Sequence, residues 1–83
     1  MTITRFISNL LYINNKFIFD ENKNYIFVFY NFDDVSDDLY INHCIQSIYD
    51  VLEDFLNVMR KEIPYSLIGN SLCFTIKKTF LEK

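Results

Sequence analysis

Apolar residues recur at intervals of three and four positions through the middle of the chain. They fall at Ile41, Ile45, Ile48, Leu52, Phe55 and Met59, and Cys44, Val51 and Val58 widen the same stripe. This spacing predicts one long amphipathic helix from roughly Ser36 to Ile63. Oxygen-bearing side chains before the helix can cap its first turn, and Pro64 ends the pattern. Because the stripe is wider than a two-position coiled-coil seam, we expect the helix to pack across a sheet.

Runs of β-branched and aromatic residues on both sides of this helix predict two hairpins. Before the helix, Lys16–Phe19 and Tyr25–Tyr30 are separated by a short polar segment, which is a hairpin pattern. After the helix, Ser66–Ile68 and Ser71–Ile76 flank Gly69-Asn70. Glycine at the first of two central positions is typical of a type II′ turn, so the single glycine of the chain has a structural explanation.

The first thirteen residues fit two interpretations. Ile3, Phe6, Ile7, Leu10 and Leu11 match the helical spacing. Alternatively, Leu10–Ile13 and the run that starts at Lys16 flank Asn14-Asn15 like the strands of a tight hairpin. We favour the strand, because asparagine tolerates the positive φ of such a turn and because Phe, Ile and Tyr favour strands. The alternative is a short N-terminal helix.

These elements predict an α+β fold in one domain, residues 1–83. It consists of a small antiparallel sheet of four or five strands, roughly β-β-β-α-β-β, with one long amphipathic helix packed on one face. In the alternative, a short N-terminal helix replaces the first strand. The second face of the sheet then carries too many aromatic residues to be comfortably solvated.

Composition adds an expectation about partners. The 83 residues are 51% hydrophobic and include nine Phe and six Tyr, which is a large apolar content for a chain of this size. We expect another chain to cover part of this surface, most simply in a homodimer, which also protects strand edges.

The two cysteines form no disulfide framework and no metal-site spacing. With no signal peptide pattern and no apolar run of membrane-spanning length, we expect a cytoplasmic protein that does not enter a membrane.

Clustered carboxylates precede the long helix at Asp33, Asp34, Asp37 and Asp38. If Asp34 began a calcium-binding loop, Leu39 would stand where glycine is needed and Ile45 where a bidentate glutamate is needed. We therefore predict no metal site and no cofactor, and we interpret the carboxylates as helix-capping groups at the surface. Tyr30 and Phe32, just before this cluster, are candidate interface residues because aromatic side chains are enriched at interfaces.

Charge is distributed unevenly along the chain. From Asn31 to Met59 there are seven acidic residues and no Lys or Arg, whereas five basic residues follow from Arg60 onward. Asp50, Glu53 and Asp54 lie on the polar face of the predicted helix. This acidic face, together with the carboxylates before the helix, predicts docking on a basic surface of another protein.

No pattern in the sequence indicates catalysis. The chain has no glycine-rich phosphate loop, no nucleophile elbow and no zinc-protease motif, and His43 and Cys44 are neighbours that diverge on a helix. We assign no catalytic residue.

Direct nucleic-acid binding is not favoured at a sequence pI of 4.9, and it is the third hypothesis. The first is a non-enzymatic binding or regulatory module, of the kind that phages and mobile elements encode as inhibitors, and the second is a structural subunit of a homo- or hetero-oligomeric assembly.

Overall fold

The computed structural model describes residues 1–81 of the chain. Its elements are the helix α1 (Ile3–Ile13), the strands β1 (Ile18–Glu21) and β2 (Tyr25–Asn31), the helix α2 (Asp38–Leu56), and the strands β3 (Tyr65–Ile68) and β4 (Ser71–Lys77). Short 3₁₀ turns at Arg60–Glu62 and Lys78–Phe80 follow α2 and β4. The described strands form one antiparallel sheet in the order β1-β2-β4-β3. The predicted α+β class and its antiparallel sheet are therefore confirmed.

The first element is the helix α1, so the strand favoured for Leu10–Ile13 is wrong and the alternative interpretation is correct. The Thr2 side chain caps this helix by accepting a hydrogen bond from the Arg5 N–H at 3.1 Å. Phe6 and Leu10 lie one turn apart and are fully buried. Complete burial of each such side chain stabilises by about 1.5–3 kcal/mol, whereas strand propensities span only about 1 kcal/mol.

Helix α2 is shorter than the sequence pattern predicts. It begins at Asp38, with Asp37 as its N-cap, and it ends at Leu56 rather than at Ile63. Asn57 takes the left-handed conformation with φ 54°, and its N–H donates to the Glu53 carbonyl at 2.8 Å. An asparagine in this conformation is a common helix terminator, since its short polar side chain reduces the steric cost. Met59 therefore lies beyond the helix and is largely exposed.

Both predicted hairpins are present. Strands β1 and β2 pair from Ile18 opposite Phe29 onward, and the turn Gly69-Asn70 joins β3 to β4. Gly69 has φ 63°, and Asn70 is not among the residues with positive φ. A positive φ at only the first central residue agrees with the predicted type II′ turn, because a type I′ turn needs positive φ at both.

One face of the sheet carries the core. Alternate residues of the two central strands point to it and are at most 1% exposed, namely Ile26, Val28, Leu72, Phe74 and Ile76. Both helices contribute to the same hydrophobic cluster, with Phe6 and Leu10 from α1 and Leu52 among the residues from α2. The long helix therefore lies across one face of the sheet, and its stripe is apolar for that reason.

Candidate functional site

The residues between β2 and the first turn of α2, numbers 33–40, form what we call the acidic segment. Its carboxylates are exposed, and two of them organise the backbone locally. The Asp34 carboxylate accepts the Ser36 N–H at 2.9 Å, and this hydrogen bond lowers the pKa of Asp34. The Asp37 carboxylate accepts the Tyr40 N–H at 3.1 Å and so caps α2. Asp33 and Asp38 extend the negative surface, and Asp33 has only a distant cation, the Lys16 ammonium at 3.9 Å.

Apolar side chains are exposed within the acidic segment. Leu39 is 84% exposed, Tyr40 is 50% exposed and Val35 is 40% exposed. A large apolar residue that is surrounded by carboxylates resembles the anchor and polar rim of a protein interface. Sequence reasoning missed Leu39 and Val35. The available signal was that Leu39 breaks the three-and-four spacing and falls on the polar side of the helix.

Tyr30 and Phe32, the predicted interface aromatics, lie beneath the acidic segment rather than on its surface. Phe32 is 3% exposed, and its ring contacts those of Tyr30 and Tyr40 at centroid distances of 5.3 and 6.2 Å. Tyr30 is partly buried and packs against the core. These rings support the segment from the core side, and Tyr40 is the member of the stack that reaches solvent.

The middle of the acidic helix face is partly neutralised by Arg60. The Arg60 guanidinium pairs with Asp50 at 2.8 Å and with Glu53 at 2.6 Å, and it also hydrogen-bonds to Gln46. It lies over the Tyr49 ring, 5.1 Å from the ring centroid. The hydrogen bond to Glu53 is the main reason that the pKa of Arg60 is raised. This cluster folds the chain after α2 back onto the helix, so Asp50 and Glu53 have a structural role there.

The seven predicted carboxylates therefore divide into two groups. Asp50 and Glu53 are engaged by Arg60, whereas Asp54 is exposed and forms no ion pair within residues 1–81. Asp33, Asp34, Asp37 and Asp38 are close together in sequence at the start of α2. The structure thus concentrates free negative charge at the N-terminal end of α2.

Two features bear on the binding of metals and small molecules. Within the described residues, no group of three or more His, Cys, Asp or Glu side chains is arranged to hold a metal ion. An apolar groove of about 280 Å³ lies between the end of α1 and α2, with Phe17, Ile48 and Val51 in its lining. His43 is exposed on its rim, and Cys44 packs against the core, as the helical spacing predicts.

The second face of the sheet forms a further surface, which we call the outer sheet face. It consists of the residues that alternate with the core positions, including Tyr25, Phe27 and Phe29 of β2 and Cys73 of β4. In residues 1–81, none of the partly buried apolar side chains that pack against the core belongs to this face. Ile18 on β1 is 52% exposed, and Ile68 on β3 is 77% exposed. The aromatic second face that the composition predicts is therefore present.

No protein-family model matches this chain, and no curated protein or solved structure matches it either. In the part of the chain that the structure describes, neither helix has the length and apolar character needed to cross a membrane.

Proposed function

We propose that this protein is a non-enzymatic binding module that regulates another protein by occupying its surface. The docking surface consists of the acidic segment and the outward side of the first turns of α2. The observation that carries the proposal is the 84% exposure of Leu39 among the carboxylates of this segment. Burying an exposed leucine in a partner's pocket contributes about 1.5–3 kcal/mol, which is enough to define an anchor position.

Electrostatics supports a partner with a basic surface. Asp33, Asp34 and Asp38 are exposed, and the chain carries a formal net charge of −3. Such a surface attracts a cationic patch over several ångströms and raises the rate of encounter. Occupying a cationic patch blocks whatever else that patch binds, so the activity we propose is inhibitory, as for small inhibitors encoded by phages or mobile elements.

The test compares two variants at matched exposed apolar positions. Leu39→Ser removes the anchor, and Met59→Ser alters an exposed apolar residue outside the acidic segment. Tagged wild-type and variant proteins are used for affinity capture from the native host, followed by mass spectrometry. The proposal predicts a basic protein that wild type and Met59→Ser retain and that Leu39→Ser loses by about tenfold or more.

Asp38→Lys is a second variant at the same surface, since Asp38 is exposed and is not the N-cap. It should weaken capture and reduce its sensitivity to salt, while circular dichroism stays unchanged. Equal capture of the same proteins by wild type, Leu39→Ser and Asp38→Lys would overturn the proposal.

The outer sheet face supports a second candidate function, a structural subunit of a larger assembly. Its aromatic centre is an uncovered apolar surface of the kind that marks protein contacts. This candidate predicts that changes at Phe27 or Phe29 abolish assembly, whereas changes at Leu39 leave it intact.

A further inference from the structure

The outer sheet face has an apolar centre. Phe27 and Phe29 are neighbours on the same side of β2, and Cys73 of β4 lies directly opposite Phe29 in the register. Ile18 of β1 lies opposite Phe29 on the other side, which makes a continuous row across three strands. Asp20 is at the edge of this face, on the outermost strand. Asp20 lies directly opposite Phe27 in the register, as Ile18 lies opposite Phe29, so one carboxylate borders the apolar row.

The two ends of the same face carry opposite charges. At the end where β2 begins and β4 finishes, Lys23, Lys77 and Lys78 line one shallow depression together with Tyr25. Among these lysines, Lys78 is paired with Glu21 at 3.1 Å, and Lys23 and Lys77 have no ion pair within residues 1–81. At the opposite end, β2 leads through Phe32 directly into Asp33 and Asp34. Lys23 and Lys77 thus lie at one end of the face, an apolar row bordered by Asp20 lies in the middle, and the exposed carboxylate of Asp33, 3.9 Å from the Lys16 ammonium, lies at the other end.

We propose that the outer sheet face binds the same face of a second copy of this chain. The two copies are related by a two-fold axis that lies in the plane of the interface and runs perpendicular to the strands. Such an axis reverses the strand direction, so that the basic end of each copy lies over the acidic end of the other. An axis parallel to the strands would instead place like charges together, which is repulsive. The inference does not involve Leu39, and Asp33 and Asp34 are the residues that it shares with the docking surface at α2.

The strand register gives this pairing specific contacts. With the axis at the level of Val28, Phe27 of one copy lies over Phe29 of the other, and the end that carries Lys77 lies over the end from which the chain continues to Asp33. Each contact occurs twice because a two-fold interface is isologous. Sheets packed face to face keep their strands within about 30° of each other, which preserves this correspondence near the centre.

The small area of the face favours a weak dimer. The two central strands are seven residues long and the two edge strands are four, with about 3.4 Å per residue and about 4.8 Å between strands. The face therefore covers roughly 360 Å² per copy before the relief of the side chains is added, compared with about 800 Å² per partner in a standard interface. The dimer therefore dissociates on dilution.

Charge also distinguishes a second copy from single-stranded nucleic acid, the other ligand that stacks on sheet aromatics. Asp33 and Asp34 at one end of the face, and the net charge of −3, repel a phosphate backbone. For a second copy the same carboxylates are the attractive partners of the lysines.

The test exchanges charges between the two ends. Variant one carries Lys23→Glu and Lys77→Glu, and variant two carries Asp33→Lys and Asp34→Lys. Each alone places like charges over each other, and its dimer dissociation constant in sedimentation equilibrium should rise about tenfold or more. Mixing the two restores opposite charges at both contacts, so the mixture should dimerise at least as well as wild type.

A charge-matched control separates this pairing from a general effect of net charge. Thr4→Lys, Ser8→Lys and Glu62→Lys together change the net charge by as much as variant two, and all three positions are exposed on other parts of the surface. This control should dimerise like wild type, and its mixture with variant one should form fewer heterodimers than the mixture of variants one and two. Restoration by the control, or a wild-type chain that stays monomeric and instead shifts a labelled oligonucleotide in a salt-dependent manner, would overturn the proposal.

Discussion

The two faces of the sheet are built by alternate residues of the same strands, and they differ in what covers them. On one face, Val28 and Phe74 are completely buried under two helices. On the other, Phe27 and Phe29 are only partly buried, and Ile18 and Ile68 on the two edge strands are largely exposed. On β2 both faces carry aromatic or β-branched side chains, whereas β4 alternates buried Leu72 and Phe74 with Ser71, Thr75 and Lys77 on the outer face. The difference shows that the apolar side chains of the outer sheet face, above all those of β2, are available for contacts other than folding of the single chain.

The largest effect should come from truncating one phenylalanine on each face. Phe74→Ala removes a fully buried ring that contacts Tyr49, and it should lower the free energy of unfolding by about 3–5 kcal/mol. Phe27→Ala should lower the free energy of unfolding by about 1 kcal/mol or less in a dilute, monomeric sample. Urea denaturation of both variants measures the comparison. Equal losses would mean that the outer sheet face is part of the folding core.

The next effect concerns the layer that covers the core face. The Tyr49 hydroxyl donates a buried hydrogen bond to the Ile63 carbonyl at 2.7 Å, which ties α2 to the segment before β3. Tyr49→Phe keeps the ring but leaves this carbonyl unpaired, so it should lower the free energy of unfolding by about 1–3 kcal/mol. Urea denaturation measures this loss. Tyr12→Phe is the matched control at a 93% exposed position and should leave stability unchanged.

A smaller effect should come from the residue that ends α2. Asn57→Ala removes the side-chain amide that lowers the cost of the left-handed conformation, and it should lower the free energy of unfolding by about 1 kcal/mol, whereas Asn57→Gly should be tolerated. Thermal unfolding of the two variants provides the measurement. If the two variants were equally stable, the left-handed conformation of residue 57 would not be the reason that α2 ends there.

The smallest effect should be visible in alkaline solution. Burial is the main cause that raises the pKa of Tyr49 above its usual value near 10.0. Because the pKa is raised only in the folded state, the Tyr49 hydroxyl loses its proton at a lower pH in the unfolded chain than in the folded one. The contribution of Tyr49 to stability is therefore complete below about pH 10 and is lost as the pH rises through the folded-state pKa. Denaturation between pH 9 and 11 should show this loss in wild type, and a steeper loss in Tyr49→Phe would contradict the assignment.

The sequence predicts those parts of the fold in which local pattern and tertiary packing agree. The stripe from Ile41 to Leu52 and the turn at Gly69 are of this kind, because periodicity and positive φ each leave a local signature. At residues 3–13 the two signals conflict. The strand propensity of single residues suggests a hairpin, but burial of Phe6 and Leu10 at helical spacing decides the structure.

The candidate sites show the same limit. The acidic residues are visible in the sequence, but their division into free and engaged groups depends on Arg60, which returns to Asp50 and Glu53 only because α2 ends at Asn57. No local pattern encodes that return. Exposed Leu39 could have been found from its position on the polar side of α2. The opposite charges of the two sheet ends required the strand order and register.

Sedimentation equilibrium of the wild-type protein over a dilution series tests the central claim about the outer sheet face most directly. We predict a reversible monomer–dimer equilibrium in the micromolar range or above, as expected for an interface smaller than the standard size. Phe27→Ala should shift this equilibrium towards monomer at every concentration without unfolding the chain. A wild-type protein that remains monomeric at all concentrations, or a dimer that Phe27→Ala leaves unchanged, would contradict it.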